Sequence, residues 1–164
     1  MNLGFATEKT TVTVEHDPVD EFRKGVELLK NEYPQKALES LRRAFESDKH
    51  NAYYSSFLGL AIARAERKWD QASALCEIAV DLKPKEIQLH LNLVQVYALA
   101  GRRQMALDRL DHAIELFGED ARLKLARSKV ENRRAPSLPF FGRKHFLNRE
   151  LGKLRHRMLK SLGK

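Results

Sequence analysis

A single cysteine, Cys76, stands in 164 residues, so no disulfide can close within the chain and a disulfide-stapled secreted scaffold is excluded. Eight glycines and five prolines are too few and too scattered for a collagen-like or low-complexity protein. Long apolar runs are missing as well. The longest, residues 57–63, has seven residues and contains Gly59, whereas a membrane-spanning helix needs about 20. The opening residues MNLGFATEKTTVTVEHD lack the basic start and apolar block of a secretory signal, and the expected location is a reducing cytoplasm. Motifs of catalysis are equally scarce. His16, His50, His90, His112, His145 and His156 form no HxH, HExxH or Cys/His cluster, and no Gly-rich phosphate loop is present. Cys76 lies on an apolar helical stripe and reads as a buried structural thiol rather than a nucleophile. Carboxylates such as Asp17, Asp20, Glu21, Glu119 and Asp120 fall at helix starts, where they complement the helix dipole. The expectation is a non-enzyme with no cofactor and no metal.

What the chain does have is charge, unevenly placed. Residues 1–120 hold 16 Lys and Arg against 20 Asp and Glu, while residues 121–164 hold 14 against two, Glu131 and Glu150. The net charge of +8 therefore resides wholly in the last 44 residues. That asymmetry describes a body with an anion-seeking tail, whose long-range attraction salt would weaken.

The body is periodic. Ala37, Ala72 and Ala106 are spaced by 35 and 34 residues, and Ala44, Ala79 and Ala113 repeat those steps. Leu41, Cys76 and Leu110 keep the same phase, Leu28, Ile62 and Tyr97 are spaced by 34 and 35, and Gly25 and Gly59 are 34 apart with Val94 third. Each unit carries two helical stripes. Asp17-Pro18 is a capped start, Pro34 opens a second helix, and the pattern recurs over 51–66, 70–82, 85–100 and 103–117, with Gly101 as a stop. The small residues fall where helices cross closely.

With Leu58, Gly59 and Ile62, then Trp69-Asp70, Ala72, Ala79 and Pro84 in the second unit, and Leu93, Tyr97, Gly101, Ala106, Leu110 and Ala113 in the third, residues 18–118 resemble the tetratricopeptide repeat family. Departures are Cys76 at a usually aromatic or Leu place, one extra residue near Arg67-Lys68, and a terminal Pro in one unit of three. The resemblance implies an all-α helix-turn-helix solenoid whose first helices line a concave face. By the family's register that face would hold Val19, Phe22, Val26 and Leu29, then Tyr53, Ser56, Leu60, Ala63 and Arg64, then Gln88, Leu91, Gln95 and Ala98. Such an apolar, amide-flecked wall suits an amphipathic helix or an extended peptide. One subset of the family clamps the C-terminal carboxylate of chaperones with Lys, Asn and Arg. The matching places here read Phe22, Val26, Phe57, Gln88 and Asn92, so the clamp cations are missing and that function is not expected.

Beyond the repeats, Ala121, Leu125, Ala126 and Val130 form the apolar stripe of a further helix expected to cap the array. Arg133 and Arg134 lead into a segment broken by Pro136 and Pro139, with Phe140-Phe141 beside Arg143 and Lys144. Leu147, Leu151, Leu154, Met158 and Leu162 then recur at helical steps among Arg149, Lys153, Arg155, Arg157 and Lys160. A basic amphipathic helix of this kind docks on protein, on an anionic partner such as RNA, or on a membrane surface, the last being least favoured. The predicted organisation is thus a loose segment 1–16, three repeats over 17–118, a capping helix over 119–134, and a Pro-containing linker with a basic helix over 135–164. The predicted role is an adaptor that binds another protein in its groove, with the tail as a second contact. The alternative is a nucleic-acid- or ribosome-associated accessory protein working through the tail, and pairing of two copies through a solenoid end or the terminal helix stays open.

Overall fold

The computed structural model describes residues 17–131, and all regular structure among them is helical. In chain order the helices are α1 Pro18–Lys30, α2 Pro34–Ser47, α3 Ala52–Ala65, α4 Trp69–Leu82, α5 Ile87–Ala100, α6 Arg103–Phe117 and α7 Ala121–Glu131. The helix starts follow local chemistry. Asp17 accepts from the Val19 amide at 2.9 Å, Asn51 from the Tyr53 amide at 3.0 Å, and Asp120 from the Arg122 amide at 2.7 Å, so α1, α3 and α7 are capped by side chains. Pro34 instead pre-sets the first turn of α2. Gly101, at φ 80°, ends α5 in the left-handed conformation. Glu32 and Arg67 adopt the same region, at φ 62° and 58°, in the corresponding turns after α1 and α3. The extra residue of the second unit lies in its inner turn, since α2, α4 and α6 begin 16, 17 and 16 residues after their partners.

Each helix packs on the next, and α3 and α5 also pack on each other, giving one continuous layered core. Gly25 and Gly59 permit the tightest crossings. A Cβ at Gly25 would stand 2.5 Å from Leu41 Cγ, and one at Gly59 would stand 2.7 Å from both the Ala72 carbonyl and Cys76 Sγ. Leu41, Ile62, Leu89, Leu93, Leu110 and Leu123 are fully buried along this core. Each is worth about 1.5–3 kcal/mol relative to exposure.

First helices begin at 18, 52, 87 and 121, so α7 starts one repeat period after α5. The period exposes how the array ends. The side of α3 that meets the preceding unit carries Tyr54, Phe57 and Ala61, of α5 Leu89, Asn92 and Val96, and of α7 Leu123, Ala126 and Val130. On α1 the same places hold Asp20, Arg23 and Glu27, all exposed, with Arg23 paired to Asp20 at 3.1 Å. At the other end, the side that receives a second helix is Ser55, Leu58, Gly59 and Ile62 on α3, and His90, Leu93, Val94 and Tyr97 on α5. On α7 it becomes Lys124, Arg127, Ser128 and Glu131, where Lys124 pairs with Glu119 and Arg127 with Asp111 and Glu131. Among the described residues, both terminal faces are ionic.

Candidate functional site

A cleft between α5 and α7 encloses about 640 Å³. Leu91, Val94, Ala98 and Leu99 of α5 and Leu125, Ala126 and Val130 of α7 form its apolar floor, with Gln88, Gln95, Arg122 and Lys129 at the rim. No carboxylate lines it. Asp120 holds Arg122 in a two-pronged pair, at 3.1 and 3.0 Å, and is itself kept below the usual carboxylate range by that side chain. Lys129 has no such partner among the described residues. Leu125, 56% exposed, offers the most open apolar surface of the site.

A polar relay connects the rim to the core. Gln88 donates to Asn92 Oδ1 at 2.9 Å, Asn92 donates to Ser56 Oγ at 3.0 Å, and Cys76 Sγ donates to the Ser56 carbonyl at 3.3 Å. Burial pushes the Cys76 thiol up to about 12, which removes thiolate reactivity at neutral pH. The relay explains where Ser56 goes. Rather than facing a guest, it is fully buried as the partner of Asn92.

The other sequence-predicted wall residues divide by unit. Gln88, Leu91, Gln95 and Ala98 come together on the cleft. Leu29, Leu60 and Ala63 are buried within the core. Arg64 reaches back to donate to the Leu29 carbonyl at 2.9 Å. Phe22 packs on Tyr54 and Phe57, with ring centres 5.0 and 5.3 Å away, and Tyr53 lies under Lys83 Nζ at 5.2 Å. Val26 is half-buried and Val19 is exposed. The aromatics of the N-terminal part thus pack on one another, and the cleft lies at the last third of the predicted wall.

Helix α7 differs from its expected pattern. Leu123 and Val130 are its buried residues, whereas Ala121 and Leu125 are exposed and Leu125 faces the cleft. Arg122, Leu125 and Lys129 were therefore missed as wall residues. The signal was present: each lies 34 residues after Gln88, Leu91 and Gln95 in turn. The tail cations Arg133, Arg134, Arg143, Lys144, Arg149, Lys153, Arg155 and Arg157 lie outside the described residues, as does the N-terminal segment 1–16. Among the described residues no three His, Cys, Asp or Glu side chains are grouped to hold a metal ion, and no helix is long and apolar enough to cross a membrane.

No protein-family model matches the chain, and no curated protein does. Solved structures do. The chain is similar to the TPR domain of Arabidopsis OM64, with 20% identity and a TM-score of 0.58 over 70% of this chain and 93% of that one. The second TPR domain of human RPAP3, solved with the HSP70 peptide SGPTIEEVD, shares 16% identity at a TM-score of 0.56 over 71% and 100% of the two chains. The TPR2B domain of yeast Sti1, solved as a pHsp70 complex, shares 19% identity at 0.58 over 71% and 98%. At these identities the likeness is one of architecture: an all-α helical solenoid of the tetratricopeptide type.

Proposed function

We propose that this tetratricopeptide solenoid is a non-catalytic interaction scaffold that receives an amphipathic helix or extended peptide in the cleft between α5 and α7. The observation that carries this reading is the cleft's composition. An apolar floor ringed by Gln88, Gln95, Arg122 and Lys129, with no carboxylate, matches aliphatic side chains flanked by acidic ones. The structural neighbours lend support, since the RPAP3 and Sti1 domains are solved with chaperone peptides or chains bound. Chaperone tails themselves are not the reading here, because Phe22, Val26, Phe57, Gln88 and Asn92 supply no cation at the clamp places. The ionic outer face of α7 supports its role as the closing helix of the array, and the inert, lone thiol fits a reducing cytoplasm.

Selection of random displayed peptides on the full chain tests the proposal. Enriched sequences are expected to combine at least two aliphatic residues with Asp or Glu. Leu125→Asp and Leu91→Asp should each weaken them at least tenfold, about 1.4 kcal/mol, with helical circular dichroism unchanged. Enrichment of basic peptides, or binding that survives both substitutions, removes the cleft as the site.

A further inference from the structure

The chain leaves the array at one end of the cleft. Arg103, the first residue of α6, donates to the carbonyls of Val130 and Glu131 at 3.4 and 3.3 Å. Ala100, the last residue of α5, stands just before that start. So α7 ends beside the end of α5, and the two helices run the same way along the cleft. Leu99 and Val130 line this end, while Gln88 and Arg122 line the other. Between Gln88 and Leu99 the floor runs about 17 Å.

The sequence that follows α7 suits that floor. Residues 135–142, Ala-Pro-Ser-Leu-Pro-Phe-Phe-Gly, are the longest stretch without Lys, Arg, Asp or Glu in residues 121–164. Pro136 and Pro139 favour an extended path and bring no amide hydrogen to an apolar surface. On a path of three residues per turn, Leu138 and Phe141 share a face. Residues 136–141 then cover roughly 19 Å, which matches the floor. Residues 132–135 are enough for the chain to reverse.

We propose that residues 136–141 dock in the cleft of their own chain, with Leu138 and Phe141 against Leu91 and Leu125, and thereby compete with any guest there. The competition rests on the guest site proposed above; the docking does not. Charge and tether choose this occupant. Arg122 and Lys129 are the charged residues of the lining. They repel the basic segment 146–162, with Arg149, Lys153, Arg155 and Arg157, and tolerate an uncharged one. The cations Arg133, Arg134, Arg143 and Lys144 all fall outside the six docked residues. A tether of a few residues supplies an effective concentration in the millimolar range, so a weak apolar contact is enough.

Nuclear Overhauser contacts on the full chain test the docking. The Phe141 ring is expected to contact methyl groups of Leu91 and Leu125. Half a molar salt should leave these contacts in place, because they are apolar. Leu125→Asp, at an exposed position, should remove the contact to Leu91 with helical circular dichroism unchanged. Contacts that are absent, that vanish in salt, that survive Leu125→Asp, or that arise only between isotopically distinct copies overturn the proposal. A second measurement separates this proposal from the guest site. Saturating amounts of the selected acidic peptide should erase the Phe141 contacts. The double variant Leu138→Ser, Phe141→Ser, which leaves α5 and α7 untouched, should bind that peptide at least threefold more tightly. Contacts that persist in saturating peptide leave self-docking standing and remove the cleft as the guest site.

Discussion

The cleft between α5 and α7 and a shallower depression between α5 and α6 share one helix, α5, yet differ in charge. Arg122 and Lys129 frame the first with no carboxylate, whereas Asp108 stands beside Arg109 and His112 in the second. Repeat architecture alone does not produce this difference. The buried places are nearly interchangeable between units, so the same stacking builds both depressions. Their selectivity resides in a handful of rim positions that stacking leaves unconstrained. A solenoid can therefore present two unlike surfaces on its two sides while its core stays repetitive.

Helix α6 is common ground for that comparison, because it supports α7 and walls the second depression. Leu110→Ala, at a fully buried site in α6, should cost about 2–5 kcal/mol in denaturant melts and weaken both surfaces together. If it harms only one of them, the two are not built on a shared core. A more selective change is Asn92→Ala, which strips Ser56 Oγ and Gln88 of a partner in the relay. We expect a loss of about 1–3 kcal/mol, together with weaker peptide capture in the cleft. Lys129→Glu sharpens the contrast without touching stability. It should lower affinity for acidic peptides about tenfold, near 1.4 kcal/mol, and raise it for basic ones.

The subtlest expected effect is a slope with pH. His90 is fully buried, donates from Nε2 to the Pro84 carbonyl at 2.9 Å, and stacks edge-on to Phe117 with ring centres 5.3 Å apart. Burial holds its pKa below the ordinary histidine value. Arg109 and His112 on α6 lower it further, and the Pro84 carbonyl opposes them. As pH falls through the ordinary histidine range, near 6.5, the unfolded chain takes up this proton before the folded one. Stability contributed by neutral His90 is thus full above that range and declines below it. Thermal melts between pH 7.5 and 5 should show the decline, and His90→Gln should flatten it.

Much of the architecture was legible because close crossings leave a steric trace. Ala37, Ala44, Gly25 and Gly59 keep the repeat register, and the structure buries both alanines fully and leaves no room for a Cβ at either glycine. Helix starts were legible for a similar reason, since Asp17, Pro34 and Asn51 act within their own turn. The candidate site was harder. Whether Ser56 faces a guest or the core depends on Asn92, 36 residues away, and no local pattern encodes that bond. Leu29 and Leu60 share the apolar character of Leu91 but are covered by neighbours that Leu91 lacks. The wall residues of α7 were overlooked because its apolar stripe was assigned to capping alone. Carrying the repeat period one step further would have assigned Leu125 to the wall and Leu123 to the core.

The charged outermost faces of α1 and α7 have a bearing on engineering. Among the described residues, two copies joined head to tail would set Lys124, Arg127 and Glu131 against Asp20, Arg23 and Glu27, an ionic seam with no apolar strip. Such a tandem would behave as beads on a string, each bead melting by itself, and never as one longer spring.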